Sequence, residues 1–374
     1  MKVCIVTLQY TNNYGAVLQC YALQKALEGL GHAANVLNFS ALKIERLPWW
    51  RGWGLKSGLS LASLRSKYLR LRYSEAACAK FDKFRSDHLK STQKINSLGD
   101  VGAVLRDYDA VIVGSDQVWN QKWHHPVYYL GDESLGSIPK TIKKISYAAS
   151  AGSGEIPLAR REKIKGWLAQ FHAISVRDEF TRRLLQNSLG VESTVTCDPT
   201  LLEDFPGIED KSSHPPEENY ILAYFLHERS RALAQKTLTR FSKRLGLPVY
   251  AITVSAHEAF RPPGADHYLN EVGPAEWHRL FRKAGFVCTD SFHGSIFSAK
   301  FRKPFVYCIS EEGTGVRLDD AAERYAFTDA RVTSTTDLDA AVARAQNRDF
   351  DKSSRLIREH AEFSKEFLAK SLPV

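Results

Sequence analysis

The chain has 374 residues, 44% hydrophobic and 25% charged, which is enough for a substantial core and more than one ordinary domain, so two of about 150–200 residues each are expected. It has no apolar run of the roughly 18 residues that a spanning helix needs, and its opening Met-Lys-Val-Cys-Ile-Val-Thr-Leu reads as a strand rather than a signal peptide, so a cytoplasmic location is expected. The net charge of +9 is concentrated: Ala41–Lys90 holds twelve Lys/Arg against four Asp/Glu, a local +8, unlike a nucleic-acid binder whose basic face is built from many elements.

Along the chain, short β-rich runs alternate with amphipathic stretches, the pattern of parallel sheets with crossover helices. Strands are expected at Lys2–Leu8, Ala34–Phe39, Ala110–Gly114, Lys144–Ala149, Ala173–Val176 and Glu192–Thr196, with helices at Gly15–Leu30, Pro157–Phe171 and Glu179–Asn187. The polar, proline-rich stretch 203–219 reads as a linker. The rhythm then restarts with strands Tyr220–Leu226, Pro248–Thr253, Phe286–Thr289 and Phe305–Ile309. Helices are expected at Arg229–Leu245, Pro274–Ala284, Gly294–Phe301 and Leu338–Ala345, and a last amphipathic helix at about Lys352–Lys370. The expected organisation is an N-terminal α/β domain over 1–202, a C-terminal one over 220–348 and a C-terminal helix in 349–374. Two Rossmann-like domains of this kind suggest a glycosyltransferase-B-like arrangement with the site in the cleft between them, beyond the carboxyl ends of the strands.

The loops that follow strands hold the candidate chemistry. Asn13-Tyr14-Gly15 opens a helix whose free N–H groups suit an anion or hydroxyl, though a polar turn with a capping Asn explains it equally. Ser115-Asp116-Gln117-Val118-Trp119-Asn120 crowds a carboxylate, carboxamides and an indole at one strand end, which suits sugar hydroxyls and an apolar sugar face, or is a capping Asp with a packed Trp. Arg177 stands at a helix start beside Asp178 and Glu179, where it either holds an anion or pairs with these two acids. Asp198 is a turn residue or a cleft residue. In Asp290-Ser291-Phe292-His293-Gly294-Ser295, Ser291, His293 and Ser295 gather at a helix N-terminus, where a phosphate would dock. The six cysteines are scattered without C-x-x-C spacing and read as reduced core residues. His124-His125 reads as surface, and no metal-ligand cluster is expected.

These segments together resemble the polysaccharide pyruvyltransferase family: Asn13-Tyr14-Gly15 with Leu18-Gln19, Gly114-Ser115-Asp116-Gln117-Val118-Trp119-Asn120, Ser175-Val176-Arg177, Cys197-Asp198-Pro199 and, above all, Asp290-Ser291-Phe292-His293-Gly294. The resemblance implies a glycosyltransferase-B-like fold and formation of a pyruvate ketal on a sugar of a cell-surface polysaccharide or its lipid-linked precursor. Phosphoenolpyruvate is then a substrate, and neither a cofactor nor a metal is expected. It implies His293 and Asp116 as catalytic residues, Arg177, Ser291, Gly294, Ser295, Asn13 and Gly15 on the donor, and Gln117, Trp119, Asn120 and Tyr14 on the acceptor. Some members carry an arginine where this chain has Ser291, which leaves Arg177, the helix N-terminus and Arg317 or Arg324 to hold the anion. Two other readings share the residues: a sugar-nucleotide glycosyltransferase, in which Glu311 or Glu312 grips a ribose, and an inactive glycan-binding or assembly protein. In the basic segment, Trp49, Trp50 and Trp53 precede Arg65, Lys67, Arg70 and Arg72. That is the composition of a membrane-interface contact through 47–72, or of a packed helical subdomain with a solvated basic face.

Overall fold

The structure is a computed structural model that describes residues 1–39, 61–123, 125–208, 219–253, 261–310 and 315–373, with the backbone alone for 61–74 and Trp123. The N-terminal half runs β1 (Lys2–Val6), α1 (Tyr14–Gly29), β2 (Ala33–Val36), α2 (Leu61–His88), α3 (Asp100–Leu105), β3 (Ala110–Val113), β4 (Lys143–Ala149), α4 (Leu158–Leu168), β5 (Ala173–Val176), α5 (Glu179–Leu189) and β6 (Thr194–Val195). The C-terminal half runs β7 (Ile221–Tyr224), α6 (Arg231–Leu245), β8 (Val249–Ile252), β9 (His267–Leu269), α7 (Pro274–Lys283), β10 (Phe286–Thr289), α8 (Phe292–Lys300), β11 (Phe305–Cys308), α9 (Val316–Arg324), β12 (Arg331–Val332), α10 (Leu338–Gln346) and α11 (Phe350–Ser371).

Each half is a six-stranded sheet, in the orders β2-β1-β3-β4-β5-β6 and β12-β11-β10-β7-β8-β9, and every strand pair is parallel. The all-apolar strands Ala110–Val113 and Ile221–Tyr224 are buried along their whole length, as sheets covered on both faces require. This is the two-domain α/β architecture that the alternating pattern implies. The strands missing from the sequence reading, β9 and β12, are edge strands of three and two residues, too short to carry a periodicity.

The strand order reverses twice. In the first sheet the chain leaves β1 toward β2 and returns to place β3 on the other side; in the second it leaves β7 toward β8 and returns to place β10 on the other side. A crevice opens where crossovers diverge at such a reversal. The two crevices face one another, and the seam beside them is apolar. Tyr14 stacks on Trp277 at 5.7 Å between ring centres and donates to Val272 O at 3.0 Å. Lys80 of α2 donates to Glu271 O and to Glu276, each at 2.6 Å. The C-terminal helix crosses back: Ser364 Oγ of α11 accepts from Cys197 N at 2.9 Å, and His360 lies between Val195 O at 3.2 Å and the Tyr325 hydroxyl at 2.9 Å.

Most of the expected linker, the tryptophans at 49, 50 and 53, His124 and the acids at 311 and 312 lie outside the described residues, as do the side chains of Arg65, Lys67, Arg70 and Arg72. Among the described residues no helix is long and apolar enough to cross a membrane. The cysteines are free, five of them buried and Cys78 half-buried.

Candidate active site

At the second reversal, β10 delivers Asp290 and Ser291 to the mouth of α8. Ser291 caps the helix by accepting from Gly294 N at 3.3 Å, the ordinary reason for serine at this position. Thr289 Oγ1 accepts from Ser291 N and donates to Tyr224 O, at 3.0 and 2.6 Å. A Cβ at Gly294 would fall 2.4 Å from that Oγ1, so glycine lets the helix sit tight on the strand. The Asp290 carboxylate is buried and collects Leu226 N at 2.7 Å, His227 N at 3.2 Å and Ser230 Oγ at 2.7 Å. Burial pushes its pKa up, against the pull of His227 and these donors. The aspartate therefore pins the loop after β7, which carries His227 and Arg229 to the crevice.

At the first reversal, Asn13 caps α1 by accepting from Ala16 N at 3.1 Å. Asp116 sits at φ 71°, a left-handed conformation that aspartate tolerates through its short polar side chain, here accepting from Gln117 N at 2.8 Å. Behind it lies a buried charge cluster. Arg177, with 1% of its side chain exposed, reaches Asp198 at 2.9 Å and Asp116 at 3.4 Å, and Phe292 of the other half lies over its guanidinium at 4.5 Å. Asp198 also accepts from Thr200 N and Oγ1 at 3.0 and 2.7 Å. Burial alone would raise the Asp198 pKa, but His293, Arg177 and Thr200 together hold it well below the usual carboxylate range.

His293 closes the gap between the halves. Its Nε2 approaches Asp198 Oδ2 at 3.3 Å, an ion-pair distance without the alignment of a hydrogen bond. Its ring lies over Gly15, where a Cβ would fall 2.0 Å from Nδ1. The cavity beside it has a volume of about 200 Å³ and is lined from the N-terminal half by Asn13, Asp116 and Gln117. From the C-terminal half come Ser291, Phe292 and His293, His227 and Arg229, and Arg317 of α9. Burial, followed by the like charge of Arg177, pulls the Arg317 pKa down to about 10. Turned toward it, the Gln117 carboxamide oxygen lies 2.9 Å from Nη1 and 3.3 Å from Nη2. Among the described residues no carboxylate forms an ion pair with Arg317 or Arg229. A partly enclosed cavity whose lining sets Arg229 and Arg317 beside Asp116 and Asp290, with His293 at its wall, can take a small anion on the arginines and a proton transfer beside it.

The structure thus brings Asn13, Gly15, Asp116, Gln117, Ser291 and His293 together, and puts Gly294 and Ser295 just behind them. Ser295 is fully buried and donates back to Ser291 O at 3.1 Å. Arg177 lies beneath the cavity rather than on its wall. Trp119 is core: its Nε1 donates to Tyr128 O at 3.0 Å and its ring stacks on Tyr129. Tyr14 is spent on the seam, and the Asn120 carboxamide stands 2.9 Å from that of Gln117. Arg324 pairs with Asp320 at 3.4 Å, away from the cavity. Arg229 and His227 escaped the sequence reading; their signal is a charged pair directly after a fully buried strand. Among the described residues no three His, Cys, Asp or Glu side chains converge as a metal site would need.

A family model described as polysaccharide pyruvyl transferase matches residues 13–312. Among solved structures, the UDP-GlcNAc 2-epimerase of Methanocaldococcus jannaschii, in complex with UDP-GlcNAc and UDP, is similar at 11% identity and TM-score 0.50, over 96% of this chain and 99% of its own. The glycosyltransferase SnogD of Streptomyces nogalater is similar at 12% identity and TM-score 0.50, over the whole of both chains. At such identities the likeness is one of fold. No curated protein matches the sequence.

Proposed function

Because this chain belongs to the polysaccharide pyruvyl transferase family, we propose that it moves the pyruvyl unit of phosphoenolpyruvate onto a sugar of a polysaccharide or its lipid-linked precursor, as a ketal. The observation that carries this reading is the cavity at His293. Its volume of about 200 Å³ lies below the roughly 300–1,000 Å³ of sites for drug-sized ligands. It suits a three-carbon phosphate better than a sugar nucleotide. Arg317 and Arg229, which no carboxylate pairs with among the described residues, answer a donor that carries both a phosphate and a carboxylate.

In this reading Arg317 and Arg229 hold the two anionic groups, with the first turn of α8 offering N–H groups to the phosphate. Arg177 acts from below by holding Asp116 and Asp198 in place. The donor methylene takes a proton and becomes methyl, and a sugar hydroxyl adds to the neighbouring carbon as it gives up its own proton. Phosphate then leaves with its bridging oxygen, and a second hydroxyl closes the ketal. The two hydroxyl protons balance the one gained by carbon and the one carried off by phosphate. His293 stands where the proton must move, and the carboxylate of Asp198 opposes the positive charge it acquires.

Thermal shift with phosphoenolpyruvate against a panel of sugar nucleotides, followed by phosphate release with a diol-bearing acceptor glycan, tests the proposal. Stabilisation by phosphoenolpyruvate and acceptor-dependent phosphate release are expected. Stabilisation by a sugar nucleotide instead would move the reading to a glycosyltransferase, and no turnover of either donor to an inert glycan-binding protein.

A further inference from the structure

Gly15 is the second residue of α1, in the N-terminal half, and the imidazole of His293 comes from α8 in the other half. A Cβ at position 15 would fall 2.0 Å from Nδ1, 2.3 Å from Cγ and 2.6 Å from Cε1, all well inside van der Waals contact. The obstacle is the ring itself, which cannot retreat freely. Asp198 stands 3.3 Å from its opposite nitrogen, and the Phe292 ring meets it edge-on at 5.3 Å. Nothing local asks for glycine here. In a helix it costs about 1 kcal/mol relative to alanine. The neighbouring Tyr14 stacks on Trp277 and bonds to Val272 O, so the first turn of α1 is a docking face for the other half.

We propose that Gly15 is the seat on which the two halves close. The missing side chain lets α8 approach α1 until His293 reaches Asp198, so the proton-handling pair forms only in the closed arrangement. Gly15 is a positioning residue: it reacts with nothing and admits the group that does. The catalytic part of this inference rests on the reading proposed above; the geometric part does not. Among the described residues, the cationic groups facing the donor, Arg317, Arg229 and the α8 N-terminus, belong to the C-terminal half, so closure governs turnover more than donor capture.

The test compares Gly15→Ala, His293→Ala and the double variant. In Gly15→Ala, small-angle scattering should show a larger radius of gyration, and carbethoxylation of His293, read by mass spectrometry, should quicken at least three-fold. Turnover of phosphoenolpyruvate should fall ten-fold or more, while its Kd by calorimetry moves less than three-fold. Adding His293→Ala removes the ring that the new methyl group strikes, so the double variant should recover the wild-type scattering curve while remaining inactive. Wild-type scattering in Gly15→Ala, whatever its turnover, overturns the proposal, as does a double variant that stays open. A wild-type protein without phosphoenolpyruvate turnover would sink the proposed function, yet leave the scattering and modification arms to decide the seat.

Discussion

The two rims of the cleft carry opposite charge. The N-terminal rim gathers three carboxylates, Asp116, Asp178 and Asp198, around one arginine, Arg177. Among the described residues that line the cavity, the C-terminal rim sets Arg229, Arg317, His227 and His293 beside one carboxylate, Asp290. The two arginines nearest the junction have opposite fates. Arg177 is sealed and faces two carboxylates, whereas Arg317 opens on the cavity and meets a carboxamide. A buried charge with its partners in place is part of the scaffold; one that forms no ion pair with a carboxylate among the described residues is open to a ligand's. The lesson is that residue type and loop position alone do not tell a binding arginine from a structural one. What decides is whether the acids that neutralise it come from the same rim.

Neutralising the two arginines separately should break this contrast if it is wrong. Arg177→Met leaves Asp116 and Asp198 buried without a cation, so unfolding in urea should show a loss of about 3–5 kcal/mol. If stability is untouched but donor binding collapses, Arg177 is the ligand and the assignment of the two arginines reverses. Next in size, His293→Ala should retain the wild-type melting curve and lose about 10²-fold in turnover, the scale of a missing general acid or base. His293→Gln keeps a hydrogen-bonding group without the charge, and should recover little. Arg317→Met should raise the KM for phosphoenolpyruvate about ten-fold or more, consistent with a lost charged hydrogen bond of about 1.5–3 kcal/mol, with no fall in melting temperature.

The smallest effect concerns acid, and it separates the halves by pH window. In the N-terminal half, the depressed Asp198 pKa means stability that is present above about pH 4, the unfolded aspartate value, and lost as pH falls further. In the C-terminal half, burial, with help from Lys300 and Arg282, lowers His278 to about 4. The unfolded chain therefore binds the extra proton first, and stability drops between about pH 6.5 and 4. His278→Leu should recover roughly a few degrees of melting temperature at pH 5 and none at pH 8. An equal gain at both pH values would show that packing, not titration, is responsible.

Much of the frame was legible because buried strands announce themselves. Ala110–Val113 and Phe286-Val287-Cys288 are unbroken apolar runs, and the loops beyond them are where the site residues stand. His293 was legible for the same reason, standing at a strand end with a capping serine before it. Arg177 was not, since its partners lie 61 residues before it and 21 after it and only the folded sheet brings them together. The sequence leaves Trp119 open between a sugar platform and a packed indole, because the neighbours that decide for packing, Tyr128 and Tyr129, lie in a stretch without periodic pattern. Arg317 could be named as an anion ligand but not placed, because its helix, Val316–Arg324, is nine residues long.

The C-terminal helix has a consequence for how the protein is made. Cys197 gives its N–H to Ser364, 167 residues later, and Asp198 follows Cys197 directly. At roughly 5–20 residues per second, a ribosome needs about 10–30 s to travel that distance. Throughout that time the last strand of the first sheet lacks its partner. The carboxylate that faces His293 therefore stands on backbone that the nascent chain cannot fasten until Ser364 has been synthesised.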